Sequence, residues 1–133
     1  MSQENVDLVR AGFEAILAGD LSAFTDYTTP DVVIVQPPEV PDAKIYKGPS
    51  AMRDAMDDWP KQWEDFRMDL LEIIDVSDDT LVSVTRHRGR GARSDIEMDF
   101  QVSYVHRLRD GKLARMEMYF DRRQALKAVG LTE

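Results

Sequence analysis

The sequence contains no cysteine among its 133 residues and only two histidines. The absence of thiols excludes a disulfide, a thiolate nucleophile and a zinc site built on thiolates. The histidines, His87 and His106, are far apart in the sequence, and neither has a clear carboxylate partner on the same predicted strand face. They do not form a recognisable ligand set for a metal. We therefore expect neither a metal nor another cofactor.

Long apolar runs are also lacking. No segment approaches the roughly 18 apolar residues that a membrane-spanning helix needs. The N-terminus, "MSQENVDLV", has neither the basic start nor the apolar centre of a signal peptide. We expect no membrane partner and a cytoplasmic location, although a chain without cysteine is compatible with every compartment. With 43% hydrophobic and 32% charged residues, the composition predicts one globular domain over residues 1–133.

The chain has fewer basic than acidic residues: 17 Lys and Arg and 25 Asp and Glu give a net charge of −8. Such a molecule repels polyanions, so no nucleic-acid partner is expected. One local exception is the stretch "TRHRGRGARSD", which contains Arg86, Arg88, Arg90 and Arg93. It is either a phosphate-binding loop or the solvated end of a β-hairpin. The hairpin is favoured because no aromatic residues interleave the arginines.

Helical spacing of apolar residues dominates the first half of the chain. It predicts an amphipathic helix over about residues 3–18 and a second, short helix that begins at Asp20 and stops before Pro30. The segment "DVVIVQ", residues 31–36, is predicted to be a strand. A third helix follows over residues 47–59, with proline in its first turn. One side of this helix carries Met52, Met56 and Trp59.

From Phe66 onward the period of the pattern changes to two. Four successive strands are predicted over residues 66–76, 80–90, 96–108 and 113–121. The last two are joined by Asp110-Gly111, a dipeptide typical of a tight hairpin turn. The segment "DRRQALKAVG" closes the chain as a short helix, with Asp121 as its cap. Helices followed by an antiparallel meander define an α+β fold with helices on one face of the sheet.

Alternation predicts which strand faces point inward. On the strand over 96–108 the inward set is Ile96, Met98, Phe100, Val102, Tyr104, His106 and Leu108. On the next strand it is Ala114, Met116, Met118 and Phe120. On residues 80–90 alternation does not decide whether His87 or its neighbours Arg86 and Arg88 face inward. Glu72 interrupts an apolar face, either as a buried carboxylate with a raised pKa or, as we favour, at a bulge that turns it outward.

The order of motifs resembles a known family. "NVDLVRAGFEAILAGDLSAF", "PDVVIVQPP", "YKG", a tryptophan-containing helix, "IID" and "RLRDGKLARMEMYFDRRQAL" together resemble the SnoaL-like branch of the nuclear-transport-factor-2-like superfamily. The resemblance covers nearly the whole chain. It implies a cone-shaped, strongly curved antiparallel sheet wrapped by about three N-terminal helices, with a short C-terminal helix. It also implies an enclosed apolar pocket and frequent dimerisation through the outer face of the sheet.

The family's catalytic positions match this sequence only in part. Ketosteroid isomerases have a helix-borne tyrosine, which falls at Gly12 of this chain, and a general-base aspartate, which falls near Gln36. Their oxyanion-hole aspartic acid falls at about the position of Tyr104. An amide cannot take up a proton at neutral pH, so ketosteroid isomerase chemistry is not expected. The polyketide cyclases have a histidine near His87 and an aspartate near Tyr104. The histidine is matched and the aspartate is not.

The remaining polar groups still suggest a site. Tyr104 offers a phenol that can donate to a carbonyl, and His106 and His87 offer imidazoles that can move a proton. Gln36 could add an amide. The predicted apolar walls are Trp59, Trp63, Met116, Met118 and Phe120. The alternative for Tyr104 is a core tyrosine with a satisfied hydroxyl. The alternative for His106 is a partly exposed structural histidine, and for His87 a position in the arginine-rich hairpin.

Function therefore has two leading interpretations. The first is a small-molecule pocket protein, an isomerase, cyclase or hydrolase-type enzyme without a cofactor, acting on a small apolar or carbonyl-containing ligand. The second is a non-catalytic ligand-binding or dimerisation module of the same fold. A homodimer is expected because the predicted outer face keeps several apolar residues at strand spacing. These are Val33, Val35, Leu71, Ile73, Val105 and Tyr119.

Overall fold

The structure is a computed structural model that describes residues 2–18, 26, 28–40, 43–58 and 63–131. One six-stranded sheet has the strand order β2-β1-β6-β5-β4-β3. Its strands are β1 (Thr28–Val35), β2 (Ile45–Lys47), β3 (Trp63–Ser77), β4 (Thr80–Gly91), β5 (Glu97–Arg109) and β6 (Lys112–Tyr119). The helices in the described ranges are α1 (Ser2–Leu17), α2 (Ala51–Asp58) and α3 (Arg122–Ala128). The short helix predicted from Asp20 lies outside the described residues.

The predicted α+β class is confirmed, and β3 to β6 form the predicted antiparallel meander. The prediction of an entirely antiparallel sheet is wrong in one place, because β1 pairs with β6 in parallel, with Val33 opposite Arg115 and Val35 opposite Glu117. Alternation shows which side of a strand is buried and carries no information on its partner. β1 also pairs with the short strand β2, where no strand was predicted from the sequence.

The β5–β6 connection is the predicted hairpin. Both Asp110 (φ 53°) and Gly111 (φ 74°) have positive φ, as a two-residue turn of type I′ requires. Glycine has no Cβ and adopts this conformation at no steric cost. The turn sets Leu108 opposite Leu113, and a one-residue register shift beyond Leu108 places Tyr104 opposite Met118 and His106 opposite Met116.

The sheet has two covered faces. On the face that we call the inner face, α1 packs Val9 and Phe13 into a core with Val32, Ile34 and Leu81 of the strands. On the outer face, α3 packs Ala125 and Leu126 onto neighbouring strands. Side chains that alternate along a strand are therefore buried on both sides wherever α3 covers the sheet.

Packing in the structure decides the two orientations that the sequence left open, which are the inward side of β4 and the direction of Glu72. Leu81 of β4 joins the inner core and His87 lies on the same side, whereas Val82 packs under α3 on the outer side. The favoured explanation for Glu72 is confirmed: the register shifts between Leu70 and Glu72, and Glu72 lies exposed with its carboxylate bonded to Arg122. The extra residue of the bulge re-aims the side chains that follow it.

Two predictions about the inner face are wrong, each for a local reason. Ile96 and Met98 are 61% and 36% exposed, because the end of the β4–β5 hairpin is not covered. Leu113 is buried where Ala114 was expected inward, since a register shift follows Arg107 and pairs Leu108 with Leu113. Val105 lies on the outer face as predicted, and it is completely buried because α3 packs on it.

The side of α2 that reaches the core carries Ala51 and Ala55. The sequence predicted a side carrying Met52, Met56 and Trp59. The side chains of Met52 and Met56 and the whole of Trp59 lie outside the described part of the chain. None of the described helices is long and apolar enough to cross a membrane.

Candidate functional site

A cavity opens between the inner face of the sheet and α2. Its polar lining residues are Gln36, Tyr46, His87 and Tyr104. The empty space, open mouth included, is about 500 Å³, and the centre of a water molecule can occupy about 50 Å³ of it. Most of the remaining wall is apolar, formed by side chains that include Ile34, Phe66, Met68, Met116 and Met118. The cavity therefore suits a small and mainly apolar molecule.

His87 is held at one side of this cavity by a short chain of hydrogen bonds. The Thr85 hydroxyl donates to the carbonyl oxygen of Val102 at 2.8 Å, and its oxygen lies 2.9 Å from His87 Nε2. The single hydroxyl hydrogen of Thr85 is already donated, so Nε2 must donate to Thr85 and Nδ1 must carry the lone pair. Burial lowers the pKa of His87 to about 4. The ring is therefore neutral at pH 7.

Tyr104 is the next aromatic residue along the inner face. Its ring centroid lies 6.4 Å from that of His87 and 6.2 Å from that of Phe13. Burial raises the pKa of the Tyr104 phenol well above its usual range. The phenol therefore stays protonated at any pH at which the fold persists, and it is available as a hydrogen-bond donor rather than as a base.

His106 belongs to the packed region around α1. Its Nε2 lies 2.8 Å from Ser83 Oγ, and its ring makes a T-shaped contact with Phe13 at 6.0 Å between centroids. It is 5% exposed, so the alternative of a partly exposed histidine is wrong. Among the described residues, those that line the cavity do not include His106. Burial lowers its pKa to about 4, so neither histidine titrates near neutrality in the free protein.

The other predicted site residues are divided between the cavity and the hairpin end. Gln36 lines the cavity while its Oε1 accepts from the Lys44 backbone N–H at 3.0 Å. Trp63 lines a separate groove beside the β4–β5 turn and packs on Phe100 at 5.8 Å. Phe120 also packs on Phe100, with 5.9 Å between the ring centroids, and neither Trp63 nor Phe120 is among the described lining residues of the cavity. Trp59, the remaining predicted wall residue, lies outside the described residues.

Tyr46 and Asp58 are polar residues near the cavity that the sequence analysis missed. The Tyr46 hydroxyl donates to Asp58 Oδ2 at 2.8 Å, and Lys44 Nζ lies 3.3 Å from the same oxygen. Burial, followed by the adjacent Asp58, raises the pKa of Tyr46 to about 12. The sequence did contain a signal for the position of Asp58, because Ala51, Ala55 and Asp58 recur at helical spacing and so share one side of α2.

The arginines of β4 have acidic partners. Arg86 bonds to Asp99 with two of its nitrogens, and Arg88 Nη2 lies 2.7 Å from Asp69. Arg90 Nη2 lies 2.6 Å from Asp65. These partners support the interpretation of a solvated hairpin arm, since a phosphate would have to compete with carboxylates already in place. Within the described ranges, no three His, Asp or Glu side chains are grouped as a metal site would require.

Comparisons with solved structures define the fold class as nuclear-transport-factor-2-like. A nuclear-transport-factor-2-like protein from Burkholderia pseudomallei is 20% identical, with a TM-score of 0.78 over 98% of this chain and 99% of that one. TerC, crystallised with polyporic acid, is 19% identical, with a TM-score of 0.76 over 95% and 98%. A protein from Jannaschia sp. CCS1 named as a SnoaL-like polyketide cyclase is 15% identical, with a TM-score of 0.77 over 100% and 96%.

The SnoaL-like domain model matches residues 9–116. The chain belongs to the SnoaL-like family of this superfamily, as its resemblance implied. Among curated proteins, no sequence is significantly similar to this chain.

Proposed function

We propose that the protein binds a small, mainly apolar molecule with a carbonyl group in the cavity. Without a cofactor, it moves a proton from one carbon of this molecule to another. The observation that carries this proposal is the placement of the Tyr104 phenol and the His87 imidazole on one apolar cavity. His87 is buried, Tyr104 is half-buried, and both are uncharged at neutral pH. A neutral donor and a neutral lone pair suit a neutral ligand, because no buried charge has to be compensated.

The chemistry that fits these groups is enolisation. Tyr104 donates to the carbonyl oxygen and stabilises the negative charge that develops there when the neighbouring carbon loses a proton. His87 Nδ1 carries the lone pair that can accept this proton, and the imidazolium can return it to another carbon of the ligand. This cycle moves a proton and a double bond and consumes nothing. Isomerisation and ring closure through an enolate both use it.

A second candidate is ligand binding without catalysis. The specific observation in its favour is the depressed pKa of His87, because an imidazole that titrates near 4 is a weak base at neutral pH. In this case Tyr104 and Gln36 would orient a ligand carbonyl or hydroxyl, and the apolar walls would supply the affinity. The homodimer and the cytoplasmic location stay predictions with either function.

The test is a set of small ketones, enones and epoxides, with polyporic acid added because the similar protein TerC was crystallised with it. Binding would be measured by quenching of tryptophan fluorescence and turnover by absorbance. Turnover that is lost in Tyr104→Phe supports the enzyme. Micromolar binding with no turnover of any member supports the binding module. Absence of binding by the whole set would contradict both functions.

A further inference from the structure

Beyond Tyr104 and His87, the cavity has a second polar wall that reaches solvent. Tyr46 lines the cavity and is 8% exposed. Its hydroxyl bonds to Asp58, whose side chain is 37% exposed. Tyr46 lies on β2 and Asp58 in the last turn of α2, so two elements that pack on each other form the pair. It connects an apolar interior with a carboxylate in contact with water.

The direction of the hydrogen bond decides what this pair can do. A carboxylate only accepts, so the hydroxyl hydrogen of Tyr46 points to Asp58 and the lone pairs of its oxygen remain acceptors. The raised pKa of Tyr46 agrees with a phenol that is firmly protonated beside a carboxylate. A ligand that meets this oxygen therefore does so most favourably with a hydroxyl of its own. The carbonyl donor Tyr104 provides the complementary interaction on the same cavity.

We propose that Tyr46 and Asp58 form a proton relay that accepts the proton of a ligand hydroxyl group. In this step the ligand O–H bond breaks as an O–H bond to Tyr46 forms, while Tyr46 passes its own proton to the Asp58 carboxylate. The negative charge moves from Asp58 to the ligand oxygen, and the proton arrives on a side chain that exchanges with water. The proposal rests on the proposed function, and it narrows the ligand to a hydroxyl-bearing carbonyl compound, such as an enol or a phenolic ketone.

The test uses 2-naphthol, a flat molecule whose excited state is a strong acid, together with 2-methoxynaphthalene, which lacks the proton. Excitation beyond the absorption of tryptophan avoids signal from the protein. With the relay intact, bound 2-naphthol should emit mainly as the naphtholate. In Asp58→Asn and Tyr46→Phe it should emit as the neutral naphthol, because the amide takes up no proton and phenylalanine carries none.

Binding of the matched pair supplies the second readout. Tyr46→Phe removes the acceptor oxygen and should weaken the binding of 2-naphthol about 5- to 10-fold, which is the effect of one hydrogen bond. The affinity for 2-methoxynaphthalene should change less than twofold. Asp54→Asn is the matched control for charge, since Asp54 lies exposed on the same helix, bonds to Ser50 and acts on Tyr46 through its charge without a hydrogen bond. It should leave both emission and binding at wild-type values. Circular dichroism melts would verify that each variant is folded.

The outcomes separate the two proposals. Binding of both naphthalenes with the same emission in wild type and Asp58→Asn would overturn the relay and leave the small-molecule cavity intact. Failure of both naphthalenes to bind the folded wild-type protein, together with failure of the ketone set, would overturn the proposed function, and the relay with it. A loss of naphtholate emission in both variants, with binding retained, would support the relay.

Discussion

Neutral buried groups define the chemistry of this molecule at the scale of single residues. His87 and Tyr104 line a cavity with no charged side chain among its described lining residues. An electrostatic contribution of such groups depends on exclusion of water, because a hydrogen bond aimed at developing charge gains strength in a medium of low dielectric constant. The apolar neighbours Met116 and Met118 therefore support the polar ones by keeping water out.

Replacement of Tyr104 with phenylalanine should separate catalysis from binding. If the protein is an enzyme, loss of the phenol should lower kcat about 100- to 1,000-fold, as removal of one oxyanion donor does, and change the affinity for a purely apolar ligand less than twofold. Steady-state kinetics and fluorescence titration measure both. Tyr119→Phe is a matched control, since the Tyr119 hydroxyl bonds to Glu117 on the outer face. An unchanged kcat in Tyr104→Phe would remove the phenol from the mechanism.

The two histidines should make stability depend on pH. Each has a pKa of about 4 in the folded protein and of 6.5 in the unfolded chain, so the unfolded chain takes up protons first as the pH falls. Their contribution is complete above about pH 6.5 and is lost as the pH falls toward 4. Between pH 7 and pH 5 the free energy of unfolding should fall by about 2 kcal/mol for each histidine.

Urea unfolding of wild type and His106→Gln at both pH values measures this effect. The carboxylates contribute equally to both proteins, so the loss between pH 7 and pH 5 should be about 2 kcal/mol smaller in the variant. An equal loss in the two proteins would mean that His106 is already protonated, or still accessible to protons, in the folded state. His87→Gln should behave in the same way.

At the scale of elements, α3 is a seven-residue helix that closes the outer face. Asp121, as predicted, caps it by accepting from the Arg123 backbone N–H at 2.8 Å. Its C-terminal end is closed by Gly130, at φ 81°, beside a hydrogen bond from the Leu131 N–H to the Leu126 carbonyl. Local capping therefore holds Ala125 and Leu126 in place over the sheet.

Loss of the N-cap should destabilise the protein measurably. Asp121→Ala should lower the free energy of unfolding by about 1 kcal/mol, since the first turn of α3 loses a partner for a backbone N–H. The free energy of unfolding of Asp121→Asn should stay within a few tenths of a kcal/mol of the wild-type value, because asparagine caps about equally well. Denaturant titration of the three proteins gives the comparison. Equal losses in both variants would assign the effect to charge instead of capping.

Elements also show where reasoning from the sequence stops. The periods predicted α1, the meander and α3 to within a few residues, because burial on one face imposes a period of 3.6 or 2 on apolar side chains. The parallel partnership of β1 and β6 and the short strand β2 were not predictable. Both depend on which distant segments meet, and the local sequence carries no record of that.

At the scale of the whole molecule, the outer face bears on the state of association. Of the six apolar residues assigned to it, Val105 and Tyr119 pack under α3 and Ile73 packs against the inner core. Val35 lines the cavity, Val33 is half-buried, and Leu71 is 50% exposed. The apolar surface available for a second copy is thus smaller than the sequence suggested, and it is concentrated beside the two edges of the sheet.

The homodimer remains a prediction with a direct test. Light scattering at micromolar concentration should give about twice the 15.2 kDa mass of the chain. Leu71→Lys should shift the protein toward the monomer, because it places a charge on the most exposed of these side chains, while the unfolding midpoint of the isolated monomer should change little. A wild-type protein that scatters as a monomer up to high micromolar concentrations would disprove the prediction.

The sequence by itself determined the class of fold, the hairpin turn at Asp110-Gly111 and the inward position of Tyr104. All three follow from local properties: the period of burial and the positive φ that glycine accepts. Only the tertiary structure decided that His87 lines the cavity while His106 does not, and that Tyr46 meets Asp58 across β2 and α2. These facts depend on a bulge, on the helix that covers each face and on contacts between distant segments. A protein's hydrophobic pattern specifies its layers, and the packing of those layers specifies which polar groups meet.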